Sequence, residues 1–260
     1  MTVHIETVGR GAPLILLHGW AMHSGLWTPL LSPLANRFQL HLVDLPGHGH
    51  SGAVEPHTLD EITGAVARAL DTVRSPLTLL GWSLGGAVAL AWARAAPSRI
   101  ARLILTGTTP CFVQRPDWPH AMASTTLHQF GDELRVSYRL TLQRFVSLQV
   151  QGSDQGRAVL AQLRAHLFAR GEPSPDALAA ALNVLASVDL RDQVGAIDLP
   201  VRLIAGDRDM LTPLAAAKWL AQALPRGSLR IIRGAAHAPF LSHPDAFVAA
   251  MLEAEDHGGR

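Results

Sequence analysis

The chain contains one cysteine, Cys111, so it can form neither an intrachain disulfide nor a cysteine metal cluster. It has one lysine, Lys218, and the rest of its Lys/Arg charge is arginine, whose guanidinium fork suits carboxylate and phosphate partners. No apolar run is long enough to span a membrane, and Met1-Thr2-Val3-His4-Ile5-Glu6 has neither the basic start nor the apolar stretch of a secretory signal. Charged residues are scarce at 17% and nearly balanced at a net +1, which argues against disorder and against a nucleic-acid-binding footprint. These absences suggest a cytoplasmic protein that binds neither membrane nor nucleic acid. What is abundant is apolar side chain, 48% of 260 residues, enough for a large core in one domain.

Short apolar runs alternate with helical patterns along most of the chain. Val3–Val8 reads as an edge strand, and Pro13–Leu17, Leu40–Val43, Pro76–Leu80, Leu103–Leu105, Val201–Ala205 and Leu229–Ile232 read as buried strands. A short helix is expected around Trp27–Leu34. Thr58-Leu59-Asp60-Glu61 is a capping box for a helix ending near Val73. Thr212-Pro213 and Ser242-His243-Pro244-Asp245 read as helix starts. The strand-turn-helix repeat predicts an α/β fold: a mostly parallel sheet with helices on both faces and ligands at the carboxyl ends of the strands. The repeat breaks over 111–191, where Leu134, Tyr138, Leu142 and Phe145 share a helical face and further helices fall near Arg157–Ala169 and Asp176–Ala186. Such a segment is too long for a connection. The expected organisation is a core of 1–110 and 192–260 with 111–191 inserted as a helical cap.

Gly81-Trp82-Ser83-Leu84-Gly85 stands between the Pro76–Leu80 strand and the alanine-rich helix Gly86–Ala96. In that setting G-x-S-x-G lifts the serine onto a strained elbow above the sheet, with small residues where a Cβ would clash. A serine nucleophile needs a base, and the base needs an orienting group. Among thirteen histidines, His237 lies in the loop after the last strand; Asp207 and Asp209 both follow the strand before it. The chain order Ser, Asp, His is that of serine hydrolases built on such sheets. The oxyanion donors expected are the N–H of Leu84 and, from the loop His18-Gly19-Trp20, the N–H of Trp20. Trp20 and Trp82 would wall the serine. His18 reads as a buried brace, and His41, His48 and His50 as loop or surface residues without metal-ligand spacing. The glycine-rich stretch Asp44–Ser51 lacks the lysine and spacing of a phosphate cradle and reads as a structural turn. Cys111 reads as a small buried apolar residue.

Together these residues resemble the α/β-hydrolase superfamily over the whole chain. The resemblance implies that Asp209, in Gly206-x-x-Asp209-x-x-x-Pro213, is the acid of the triad. A nearer likeness is to the pimeloyl-[acyl-carrier protein] methyl ester esterases of biotin synthesis. It is carried by Leu16–Trp20, His41–Gly47, Leu80–Gly86, Pro110-Cys111-Phe112, Arg144-Phe145-x-x-Leu148-Gln149, Val188–Arg191 and Ala235–Phe240. That likeness implies a serine carboxylesterase acting on a methyl ester at the far end of a carrier-bound dicarboxylic acyl chain. The triad chemistry needs no metal or organic cofactor, and a monomer is expected. It also implies substrate contacts from Trp20, Ser83, Leu84, Phe145, Val146, Ser147, Leu148, Gln149 and His237. An acidic carrier protein would dock on basic side chains. The family's arginines match at Arg144 and Arg157, and the pairs Arg135/Arg139 and Arg157/Arg164 each fall on one face of a regular helix. A general esterase for short acyl esters would share the triad and differ in the cap; a ligand-binding homologue would fit better had one triad member been lost.

Overall fold

The computed structural model describes residues 2–253. Seven strands form one sheet: β1 (Ile5–Gly9), β2 (Ala12–Leu17), β3 (Phe38–Val43), β4 (Leu77–Trp82), β5 (Ile100–Thr106), β6 (Val201–Gly206) and β7 (Gly227–Ile232). Their order is β1-β3-β2-β4-β5-β6-β7, with β1 antiparallel to β3 and every other pairing parallel. From β2 the chain first goes outward to β3, then back across to β4 on the other side. The order of winding reverses there, and that reversal opens a crevice beyond the carboxyl ends of β2 and β4.

Nine α-helices accompany the sheet among the described residues: α1 (Thr28–Leu34), α2 (Leu59–Ala69), α3 (Leu84–Ala95), α4 (Ser124–Leu148), α5 (Gly156–His166), α6 (Pro175–Ser187), α7 (Leu214–Ala223), α8 (Pro239–Ser242) and α9 (Pro244–Leu252). Helix α3 is apolar on all sides and its residues Leu84–Ala93 are buried, as a helix between sheet and neighbouring helices must be. Leu14–Leu17 of β2 and Leu79-Leu80 of β4 form the floor of the core. Each such side chain removed from water contributes about 1.5–3 kcal/mol. No helix of the described residues is long and apolar enough to cross a membrane.

Between β5 and β6 run α4, α5 and α6, with α4 packed on α6 and α5 on α8. Extended pairing in this stretch is confined to isolated bridges such as Cys111 with Asp189. Helix α4 is not straight: Ser137 leaves helical geometry at φ −145°, ψ 55°. A straight helix would separate residues 133 and 144 by about 16 Å along its axis. The bend instead lets Arg144 reach Glu133 at 2.6 Å.

Several local expectations are corrected. The bend at Ser137 lies between Arg135 and Arg139, so these two do not share a regular helical face. Helix α2 is capped by the Thr58 hydroxyl as expected, but it ends at Ala69, and the Leu70 carbonyl just beyond is taken by Arg99 at 3.0 Å. Neither α7 nor α9 has a side-chain cap. Thr212 commits its hydroxyl to Asp209, and Ser242 Oγ lies 2.8 Å from His243 Nδ1. His41 and His48 are buried, not superficial.

Candidate active site

Ser83 follows β4 directly and precedes the first residue of α3. Its backbone adopts φ 55°, ψ −117°, a left-handed conformation costly to any residue with a Cβ. The surroundings hold it there: its N–H donates to the Thr106 carbonyl at 3.0 Å, tying the elbow to the neighbouring strand. Close packing sets the sequence around it. A Cβ at Gly85 would lie 2.1 Å from the Leu17 carbonyl oxygen, and one at Gly81 2.6 Å from the Gly85 oxygen. Gly86 is constrained equally, since a Cβ there would meet Thr108 Oγ1 at 1.9 Å. The Ser83 side chain makes no helix-capping bond, so its hydroxyl is not committed to α3.

Leu84 opens α3, and its N–H belongs to the first turn, which has no intrahelical acceptor. Trp20 lies in the loop after β2, beside Gly19, where a Cβ would stand 3.1 Å from Ser83 Cβ. The buried Trp20 indole donates to the Leu178 carbonyl on α6 at 2.9 Å and meets Phe145 edge to face at 4.7 Å.

His237 and Asp209 come from the loops after β7 and β6. His237 Nδ1 lies 2.8 Å from Asp209 Oδ2, with both side chains buried. Asp209 Oδ1 accepts the N–H groups of Leu211 and Thr212, and Oδ2 also accepts the Thr212 hydroxyl at 2.7 Å. Burial alone would raise this carboxyl; the facing His237 and the Thr212 donors outweigh it and hold Asp209 below the usual carboxylate range. Asp207 points elsewhere, accepting the Gly234 N–H at 2.8 Å as a loop-closing carboxylate. His18 bridges two loops: Nδ1 meets the Gly19 carbonyl at 2.8 Å and Nε2 accepts the Leu45 N–H at 2.9 Å. With Nε2 an acceptor, its ring is neutral, and burial pushes it down to about 3.

A small apolar chamber adjoins Ser83 and Leu84. It is walled by Gly107, Pro110 and Phe112 beyond β5 and by Val184 and Val188 at the end of α6. Of the 145–149 segment, Phe145 and Val146 are buried, Ser147 and Leu148 half-buried, and the Gln149 carbonyl accepts the His237 N–H at 3.1 Å. Gln149 is 1% exposed, and its Oε1 has no hydrogen-bond partner among the described residues. Cys111 is buried, its thiol 3.3 Å from the Val113 carbonyl. Among the described residues no three His, Cys, Asp or Glu side chains converge as a metal site requires.

Three contacts escaped the sequence reading: the Thr212 hydroxyl on Asp209, the Gln149 carbonyl on His237, and the Trp82 indole, which donates to the His237 carbonyl at 2.9 Å. Only the first had a local signal, because an aspartate followed at short range by threonine and proline is an Asx-turn sequence.

This geometry has counterparts in known proteins. The family model for the alpha/beta hydrolase fold matches residues 12–244. The pimeloyl-[acyl-carrier protein] methyl ester esterase of Nitrosomonas europaea is 45% identical over 248 residues, 95% of this chain and 97% of that protein. The protein of the same name from Chromobacterium violaceum is 40% identical over 253 residues, 97% of this chain and 98% of its own length. Among solved structures, an esterase from Exiguobacterium antarcticum superposes with a TM-score of 0.87 at 21% identity, over 96% of this chain and 94% of that one. The enol-lactonase of Burkholderia xenovorans does so with a TM-score of 0.80 at 22% identity, over 96% of each chain. The chain therefore belongs to the α/β-hydrolase fold family and, within it, to the pimeloyl-[acyl-carrier protein] methyl ester esterases.

Proposed function

We propose that this protein hydrolyses the methyl ester of pimeloyl-acyl-carrier protein, releasing methanol and leaving the free carboxylate on the carrier-bound chain, as in biotin synthesis. Ser83 is the nucleophile, His237 the general base and Asp209 the group that orients it. The observation that carries this reading is the buried 2.8 Å contact between His237 and Asp209 at the strand ends beside the left-handed Ser83.

The chemistry runs in two halves. Ser83 Oγ bonds to the ester carbonyl carbon while His237 Nε2 takes the hydroxyl proton. The oxyanion forms against the N–H groups of Trp20 and Leu84. As the intermediate collapses, the carbon–methoxy bond breaks and His237 returns its proton to the leaving methoxide. Water then attacks the acyl-serine, giving one proton to His237; the bond to Oγ breaks, Ser83 recovers the proton, and the acid leaves as carboxylate. Asp209 remains ionised throughout and holds the Nδ1 proton, so Nε2 stays basic. Its bonds from Leu211 and Thr212 keep it in that state.

Residues 111–191 act as the cap. Val184 and Val188 close the chamber over Ser83 from the α6 side, and Phe145, packed edge to face on Trp20, is the cap residue that would extend an apolar wall toward the acyl chain. The carrier docks on the outer basic surface. Arg135, Arg157 and Arg164 are exposed and have no ion-pair partner among the described residues, so they are available to its acidic groups. Arg139 is engaged by Glu172 and Arg144 by Glu133, and both would have to exchange partners to contribute.

The test compares kcat/KM for pimeloyl methyl ester on acyl-carrier protein with that for free short-chain p-nitrophenyl esters, with Ser83→Ala as control. A marked preference for the carrier-bound ester, lost in the variant, is expected. Equal turnover of short free esters would reduce the activity to a general carboxylesterase, and turnover surviving in Ser83→Ala would overturn the mechanism.

A further inference from the structure

The main chain of His237 is held from two sides. Its carbonyl accepts from the Trp82 indole at 2.9 Å, and its N–H donates to the Gln149 carbonyl at 3.1 Å. Gln149 stands at the end of α4, so the second bond joins the loop of the base to the helices between β5 and β6, not to the sheet.

That bond is the first of a series. Further along, the same segment crosses both loops of the site: the Asp154 N–H donates to the Gly234 carbonyl at 3.0 Å. Arg208, the neighbour of Asp209, donates to the Gly152 carbonyl at 2.8 Å and to Asp154 Oδ1 at 2.5 Å. Gly234 sits at φ +77°, a conformation that favours glycine, and a Cβ there would fall 2.1 Å from Asp154 Oδ2, whose side chain would have to turn aside. Residues 149–154 are thereby stitched to the loop of Asp209 through Arg208 and to the loop of His237 through two backbone bonds.

We propose that residues 149–154 form a strap that sets the position of His237 relative to Ser83, with Arg208 as the positioning residue that fastens it. The inference rests on the triad reading but not on the identity of the ester. A general base works only within hydrogen-bond reach of the proton it takes, and small displacements of reacting groups carry large rate penalties. The strap also makes the placement of the helical cap and that of the base one conformational variable. The fastening pair is half in solvent, with side chains 46% and 59% exposed, so it adds little to global stability. Loss of the pair should therefore register in reactivity rather than in folding.

The experiment uses the full chain with Arg208→Gln, Asp154→Ala and Arg208→Lys. Three quantities are read: the rate at which a small p-nitrophenyl phosphonate modifies Ser83, kcat and KM for p-nitrophenyl acetate, and Tm. Arg208→Gln and Asp154→Ala should slow phosphonylation and kcat by about 3- to 10-fold with KM and Tm unchanged. Arg208→Lys keeps a donor for both oxygens and should retain most of the rate. Wild-type rates in both Arg208→Gln and Asp154→Ala, or a loss that follows Tm and is equal in Arg208→Lys, would overturn the inference while leaving the triad intact. A wild-type chain inert to the phosphonate would overturn the triad reading, and the strap with it.

Discussion

Lowering the pH from 7 to 5 sets two buried histidines against the native state. His18 and His48 are 0% and 2% exposed, their rings 5.4 Å apart in an edge-on arrangement. His18 is committed to accepting the Leu45 N–H, and His48 Nδ1 meets the Pro46 carbonyl at 3.1 Å while its Nε2 is buried without a partner among the described residues. Neither environment welcomes a second proton. Burial pushes His18 down to about 3 and His48 down to about 4. In the unfolded chain both titrate near 6.5. The unfolded state therefore binds protons first, and stability present above pH 6.5 is lost as the pH falls through that value toward the folded ones. At pH 5 each histidine is almost fully protonated unfolded and almost neutral folded, which integrates to about 2 kcal/mol apiece between pH 7 and 5, or about 4 kcal/mol for the two. His23, His41, His57 and His166 are also lowered, chiefly by burial, and add in the same direction. Such a loss is a large share of the ~5–15 kcal/mol that holds a domain folded.

Urea midpoints measured from pH 7.5 to 4.5 at constant ionic strength test this reasoning. The midpoint should begin to fall near pH 6.5, well before the carboxylates titrate, and His48→Gln should flatten the slope by about one proton. A midpoint flat down to pH 4.5 would refute the buried-neutral account of His18 and His48. So would an unchanged slope in His48→Gln.

The same region supplies a second prediction. Arg170, from the segment between α5 and α6, pairs with Glu6 and with the fully buried Asp44 at 2.7 Å, so Arg170→Met should destabilise the fold by on the order of 3 kcal/mol at pH 7, read as a drop in Tm. Gly86→Ala should cost about 1–3 kcal/mol or more by overpacking against Thr108, and Gly86→Ala combined with Thr108→Ser should recover little because Oγ1, the nearest atom, has its counterpart in the serine hydroxyl. Reversing charge together at Arg135, Arg157 and Arg164 should lower kcat/KM for the carrier-bound ester, by a factor that shrinks as salt rises, and leave p-nitrophenyl acetate turnover unchanged. An equal loss on both substrates would place the effect in folding instead of docking.

The sheet was legible because parallel buried strands announce themselves as short apolar runs, and each run here ends at a glycine or a polar turn. That same punctuation brought Ser83, Asp209 and His237 to one edge: Ser83 directly follows β4, Asp209 and His237 lie three and five residues past β6 and β7, and a parallel sheet sends all such ends the same way. The close-packed glycines were half legible. Gly81 and Gly85 belong to a local motif, whereas the need at Gly86 comes from Thr108, beyond the neighbouring strand, where no local pattern reports it. The bend in α4 left no mark either, since residues 124–148 contain no proline and Ser137 interrupts no periodicity; helical spacing therefore predicted a shared face for Arg135 and Arg139 that the fold does not provide. Least legible were contacts between segments far apart in sequence, such as Arg170 on Asp44 or the Gln149 carbonyl on His237. Backbone carbonyls carry no residue identity, and an arginine among 22 basic residues does not declare its partner. The consequence for chemistry is specific. Sequence motifs nominate Ser83, Asp209 and His237, but the bonds that tie Gly152 and Asp154 to Arg208 and Gly234 belong to none of them, so on the strap proposal variation at Arg208 and Asp154 should alter rate before it alters any recognisable signature.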